Sequence, residues 1–427
     1  MHVLFQIYEI PEQSHTAQDR NEDVGKSHQA VSMRHKIETE RENLFDVNMV
    51  IAMRVRIEGD VVFEQLEKAF YKAVSSYEIL NSRVIIEDNG DAYYVDCGRP
   101  QSSFSRTELG FEELINANER VRFRIENGEY LRAFLTPDGL VFLMHHLGGD
   151  GKSLLYFIET FMLILTGGNV SRVPFAGMSL QDLPKESEMS FLYKLFVRSW
   201  NRRWAGKKRV FGYKDMDKAF NDFWQNHQTK TEITEYPSDK LNDLLLEAKR
   251  SEASLTSYLT AAWLKDLKGK KDVGYAVDGR LSSERTMGNF ATGIHIAYRY
   301  DPGMSIGENA AKINGLMRKK LTDQRIRYSV LQLIGHFDPS LIDTLSLEAA
   351  GCYHTSFTSR FADIMCYGRK KRDLSITNLM RAPIRTDYGH IRIQDIAFVP
   401  PVVSYGTNLI GIITVNGKMI ITRHTYA

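Results

Sequence analysis

The stretch from Leu140 to Leu165 constrains the chain more than any other. An apolar run, Leu140 to Met144, ends in His145-His146 and turns through Leu147-Gly148-Gly149-Asp150-Gly151. Leu154, Leu155, Ile158, Phe161 and Met162 then recur at helical spacing, with Gly167-Gly168 to stop the helix. The pattern is a buried strand, a glycine turn and an amphipathic helix. Successive strand side chains point to opposite faces, so only one of the two histidines can face a given cleft. Imidazole titrates near neutrality and suits general base work. Asp150, at the mouth of the helix, can cap backbone donors or take a salt bridge that holds the loop. Gly151 lets the backbone approach closely, and its amide can help hold an oxyanion. A His-His pair alone is usually incidental; the full strand–turn–helix pattern is far more specific. The divergence of neighbouring strand residues, and the lack of a two-His spacing on one helix face, argue against a metal site.

The remainder of the 427 residues exceeds one ordinary core and points to two lobes. Lys plus Arg total 55 and Asp plus Glu 53, a balance that gives no reason to expect nucleic acid. The cysteines, Cys97, Cys352 and Cys366, are odd in number and far apart. They fit a reducing compartment better than a disulfide scaffold. Met1 to Ile10 lacks the basic start of a signal peptide, and no apolar run is long enough to span a bilayer. A cytoplasmic protein is therefore expected. The segment Glu12 to Glu42 is polar and charged, and reads as a long loop or an early helix.

Alternation in Asn48 to Ile57 predicts a half-exposed strand. An amphipathic helix follows from Val62 to Glu78, with Phe63, Leu66, Phe70, Ala73 and Val74 as its stripe. Strands are expected at Leu80–Glu87, Ala92–Val95 and Leu131–Leu135, the last joined to Leu140–His146 by a Pro-Asp-Gly turn. From Ser171 to Asp222 the chain reads as a crossover, part helical and part extended. Beyond it come a strand at Glu232–Tyr236, helices at Lys240–Arg250, Ser254–Leu267 and Met304–Leu321, and strands at Val273–Arg280 and Thr292–Arg299. The closing strands are Ser375–Leu379, His390–Val399, Asn408–Val415 and Lys418–Arg423. The expected organisation is a first lobe over 1–180, a crossover over 181–225 and a second lobe over 226–427.

The run His145 to Gly151 resembles the HHxxxDG motif of the chloramphenicol acetyltransferase-like superfamily, which includes peptide-synthetase condensation domains and stand-alone alcohol and amine acyltransferases. The likeness extends over most of the chain. Asn48 to Val84 resembles the family's opening strand and helix, and Ser254 to Trp263 the helix that opens its second lobe. Tyr275 to Ile296 resembles a stretch in which an arginine precedes a Gly-Asn-Phe run, here Arg280 and Gly288-Asn289-Phe290. Ser375 to Tyr426 resembles the closing strands. Phe398 to Val402 lacks the DFGWG-type motif of the plant acyltransferases, which argues against that subgroup.

The resemblance implies an α/β (α+β) fold of two chloramphenicol acetyltransferase-like lobes, mixed sheets flanked by helices, with a tunnel between them. It implies acyl transfer from a thioester to a hydroxyl or amine, with His146 as general base and no acyl-enzyme. Asp150 and Gly151 complete the motif. His145 is implied to be a packed structural residue, and Arg280 the partner of Asp150. Thr377, Asn378 and Asn289 are candidates for the oxyanion or the tunnel wall. No permanent cofactor is implied; acyl-CoA or acyl phosphopantetheine serves as co-substrate, and an acyl or peptidyl carrier protein stays open as partner. A free-standing condensation enzyme working with separate carriers, and a catalytically silent binding relative, are the alternatives.

Three basic clusters read first as solvated surface: Arg202-Arg203 with Lys207-Lys208-Arg209, Lys268 with Lys270-Lys271, and Arg369 to Arg372. Attraction of a phosphorylated donor is their functional reading. Leu195, Phe196, Trp200 and Trp204, beside basic residues, read as a packed crossover helix, and membrane contact is not expected.

Overall fold

A computed structural model describes residues 33–282, 284–369 and 371–427. The reading of Met1 to Ile10, most of the Glu12–Glu42 segment and Lys370 lie outside the described residues. The stretch from residue 33 to the end is one compact unit.

Its strands form three sheets. The smallest holds β1 (Arg34–Lys36), β4 (Ala92–Asp96) and β3 (Ser82–Ile86), in that order. A five-stranded sheet runs β12 (Arg392–Val399), β2 (Val50–Glu58), β7 (Gly139–His145), β6 (Leu131–Thr136) and β5 (Ser103–Arg106). A six-stranded sheet runs β10 (Ala291–Arg299), β9 (Lys270–Asp278), β11 (Leu374–Arg381), β13 (Asn408–Val415), β14 (Lys418–Tyr426) and β8 (Thr229–Tyr236). Sheets of both lobes mix parallel and antiparallel pairs: β5–β6, β9–β11 and β11–β13 are parallel. The helices are α1 (Phe63–Ser75), α2 (Phe111–Glu119), α3 (Gly151–Leu165), α4 (Phe191–Ala205), α5 (Tyr213–Asn226), α6 (Ser238–Arg250), α7 (Leu255–Leu264) and α8 (Ile306–Thr322). A run of short ones follows: α9 (Gln324–Arg327), α10 (Ser329–His336), α11 (Pro339–Ala349) and α12 (Ser356–Ile364).

Each lobe has its own core. In the first, α1 and α3 cover the sheet: Phe142 of β7 meets Phe157 and Phe161 of α3 at 6.0 and 5.5 Å, and Phe157 meets Phe70 of α1 at 5.9 Å. Edge-to-face aromatic pairs of this kind add to the burial of apolar area. The second core lies between the six-stranded sheet and helices α6 to α8. A third cluster joins Trp200 and Trp204 of α4 to Phe337, Leu341 and Phe361 around α10–α12.

Two expectations change. The strand at β2 is not half-exposed. It lies between β7 and β12, and Arg54 is buried against Phe111 and Asp395. The alternation marks a buried ion pair at Arg54 and reaches solvent only at the strand's end, at Arg56 and Glu58. Residues 226–427 do not form a lobe by themselves, because β12 pairs antiparallel with β2 and so belongs to the first lobe's sheet. The crossover holds two helices and no strand longer than a bridge among the described residues. Its α5 contributes Met216, Phe220, Phe223 and Trp224 to the first core.

A buried ion pair ties the segment before β2 to the helical cluster. Arg41 donates to both oxygens of Asp343 on α11 at 2.7 and 2.6 Å, with both side chains almost fully buried.

Candidate functional site

The HHxxxDG segment leaves β7, turns and opens α3. His146 stays in register through its backbone N–H, which donates to the Met49 carbonyl at 2.7 Å. Gly148 and Gly149 then donate to the carbonyls of His145 and His146, closing the turn. A side chain at Gly149 would press on Cβ of Ser153 at 2.6 Å, so the turn needs glycine there.

The two histidines diverge as strand geometry requires. His145 turns into the first lobe, near the Phe123 ring, and its Nδ1 accepts from the Leu147 N–H at 3.2 Å. Burial, helped by the nearby His146, Arg122 and Arg132, lowers its pKa to about 3, so it stays neutral. His146 faces the space between the lobes. It lines a cavity of about 350 Å³ and a second, narrower one of about 100 Å³. Ala276, Ala291, Thr377, Pro400 and Pro401 are shared by both, so the two arms meet at the imidazole. Burial lowers the pKa of His146 too, opposed by the Asp150 charge and by Asn289 beside the ring. Its Nδ1 is buried without a hydrogen-bond partner among the described residues.

Asp150 lines the narrow arm, and its carboxylate is fully engaged there. It caps α3 by accepting from the Ser153 N–H at 2.9 Å. Arg280 donates to its two oxygens at 2.8 and 3.0 Å, and the Phe290 N–H donates at 3.0 Å. Arg280 also donates to Ser153 Oγ at 2.8 Å and stacks over the Phe290 ring. The pair therefore clamps the helix start to the Gly-Asn-Phe run of the second lobe. Gly288 completes the clamp: its carbonyl accepts from the Asp150 N–H and Ser153 Oγ, and its N–H donates to Ser153 Oγ. A Cβ there would collide with the Ala176 carbonyl oxygen. Gly288→Ala is expected to cost about 1–3 kcal/mol, the usual range for overpacking. Urea unfolding of the variant measures this.

The remaining candidates spread over the cavity walls. Gly151 lines the narrow arm and packs on Leu379 of β11. Asn289 lines the wide arm and Thr377 both. Asn378 lines the narrow arm, its amide donating to Thr256 Oγ1 at 2.9 Å and its oxygen accepting from the Met380 N–H at 2.7 Å. Of the three basic clusters, only the last reaches the cavities, through Arg372 in the wide arm.

Sequence reasoning missed Glu40 and Glu42, which also line the wide arm. Tyr94 Oη lies 2.8 Å from Glu40 Oε1 and 3.0 Å from the Leu147 carbonyl oxygen, and its single proton, shared between the two, braces the turn behind His146. The second oxygen of Glu40 is buried and unpartnered among the described residues. Burial pushes Glu40 up to about 8 and Glu42 up to about 7, against an ordinary 4.5. No motif marks them; a lone glutamate in a polar run carries no signal. The folded chain keeps a proton on Glu40 that the unfolded chain releases. The resulting stability is present below pH 4.5 and is lost as pH rises toward about 8. Denaturation midpoints should fall across that window in the native chain and fall less in Glu40→Gln. An equal slope in both would show that Glu40 is not the group responsible.

No protein-family model matches the chain. The first condensation domain of the calcium-dependent antibiotic synthetase, solved with a substrate analogue, aligns with a TM-score of 0.59 and 13% identity, over 92% of this chain and 91% of that one. The trichothecene 15-O-acetyltransferase of Fusarium sporotrichioides aligns with a TM-score of 0.60 and 11% identity, over 94% and 92%. In sequence, 125 residues, 29% of this chain, are 29% identical to D-lysergyl-peptide-synthetase subunit 1 of Claviceps purpurea. The match spans only 4% of that protein. The chain has the two-lobed fold of condensation domains. That fold is the one expected of the chloramphenicol acetyltransferase-like superfamily.

Proposed function

We propose that this chain is an acyltransferase that moves an acyl group from a thioester donor to a hydroxyl or amine acceptor, with His146 as general base. One observation carries the reading: two cavities meet at an imidazole that burial favours in its neutral, proton-accepting form. Two arms suit two substrates that approach the base from opposite sides. His146 Nε2 takes the proton of the acceptor O–H or N–H as that atom attacks the thioester carbonyl carbon. The tetrahedral oxyanion collapses, the C–S bond breaks, and the proton passes from His146 to the departing thiolate. No acyl-enzyme is needed, and holding both reactants at one base supplies proximity. Thr377, which lines both arms, is the candidate donor to the oxyanion. Asp150 and Arg280 act as positioning residues that hold the start of α3.

The donor is acyl-CoA or a carrier-bound acyl group. The purified chain, mixed with a panel of acyl-CoAs and a metabolite extract, should release free CoA only when the extract is present. Release that His146→Ala abolishes supports a CoA donor. No release from CoA, but release from acyl groups loaded on a carrier protein, moves the reading to a free-standing condensation enzyme. No release from either donor overturns the catalytic reading in favour of a binding role.

A further inference from the structure

α4 presents a face that the described residues leave uncovered. Trp200 and Trp204 are buried in the helical cluster, yet Phe191, Leu192, Tyr193 and Leu195 are 69%, 76%, 57% and 42% exposed. Four large apolar side chains within five positions are more than the scattered exposure usual at a protein surface. They share the helix with cations. α4 carries Lys194, Arg198, Arg202 and Arg203 and no acidic residue. Lys194 is paired with Glu188 at 3.2 Å, but the three arginines make no ion pair among the described residues. Phe191, Leu195, Arg198 and Arg202 follow the spacing that puts them along one side of a helix. Over the ~22 Å length of fifteen residues, that side is apolar at its start and cationic at its end.

The helix is held rigidly from behind. Phe196 packs on Phe337 at 6.1 Å, and the same cluster includes Val330, Leu333 and Met365, which line the wide arm of the cavity.

We propose that α4 docks the protein on an anionic lipid surface, lying in the interface with Phe191, Leu192 and Leu195 inserted and Arg198, Arg202 and Arg203 against lipid phosphates. No helix among the described residues is long and apolar enough to cross a membrane, so the contact is peripheral. Interfacial helices bind through buried apolar area together with attraction to anionic headgroups, and α4 supplies both. Long arginine stems let the charge reach the headgroups while the helix lies flat. The proposal does not depend on the acyl-transfer reading.

The test is co-sedimentation of the full chain with phosphatidylcholine vesicles, with and without phosphatidylglycerol. The native chain should bind the anionic vesicles, bind pure phosphatidylcholine far less, and be released by salt. Leu192→Ser with Leu195→Ser, and separately Arg198→Gln with Arg202→Gln, should each weaken binding roughly tenfold or more. All four residues are exposed, so thermal unfolding of the variants should match the native chain. Failure of the native chain to bind anionic vesicles would overturn the proposal, as would equal binding by the variants. Self-association in the absence of lipid, lost in the apolar variant, would assign the face to a second copy instead.

Discussion

Asp150→Ala should cost about 3–5 kcal/mol of stability, the range seen when one partner of a buried ion pair is removed. The side chains of Asp150 and Arg280 are 7% and 6% exposed. Without the carboxylate, the Arg280 charge stays buried with only Asp278, at 3.1 Å, as an acidic partner. The N–H groups of Ser153 and Phe290 lose their acceptor as well. Arg280→Met should cost a similar amount by stranding Asp150. The double variant should cost clearly less than the sum, because neither charge is then left unpaired in the interior. Urea denaturation of the four proteins gives the coupling directly. Additive losses would mean that the clamp is not a unit and that Asp150 acts on α3 alone. Activity in Asp150→Ala should fall together with stability, since the helix start it holds follows His146 by only five residues.

Local pattern and tertiary partner were unequally legible in the sequence. Elements with a clear apolar run and a turn signal could be placed closely: β13 spans Asn408–Val415 as read, and α3 begins at Gly151, three residues before Leu154, the first of its apolar stripe. The stretch from Gln324 to Ile364 shows little in sequence because its helices are short, four to eleven residues, and the longest has no polar face. In α11, Ser340, Asp343, Thr344 and Ser346 are buried beside Leu341, Ile342, Leu345 and Leu347, so every face is covered and periodicity vanishes. Asp343 can sit there only because Arg41, 302 positions earlier, meets it, and no local window shows that. β12 is similar: its apolar character is plain, but nothing in it says that it crosses to the first lobe's sheet. At the candidate site, the motif residues were visible because several are bound to one local geometry of strand, turn and cap. Glu40, on the wall of the wide arm, sits outside any motif, and its place at the cavity is set only in three dimensions.

His146→Ala should leave the fold intact and lower the acyl-transfer rate by roughly 10²–10⁴-fold, the usual contribution of a general base. The two effects separate because of what the side chain touches. His146 keeps its strand register through a backbone bond to Met49, which alanine preserves, and its Nδ1 has no partner to lose. His145→Ala is the control. It removes the Nδ1 that accepts from the Leu147 N–H inside the turn, so its cost should appear first in stability. The pH dependence adds a second readout. Burial lowers the His146 pKa, so the acid limb of the rate should fall below pH 6.5, the ordinary histidine value. The base form is then nearly fully populated at neutral pH, and the rate should change little from there upward until another group titrates. Initial rates from pH 5 to pH 8 on whichever thioester the chain accepts would measure this, as roughly a titration of one group. A native rate in His146→Ala, together with a collapsed rate in a stably folded His145→Ala, would transfer the role to the other histidine. A limb lying above pH 6.5 would mean that the Asp150 charge outweighs burial at the ring.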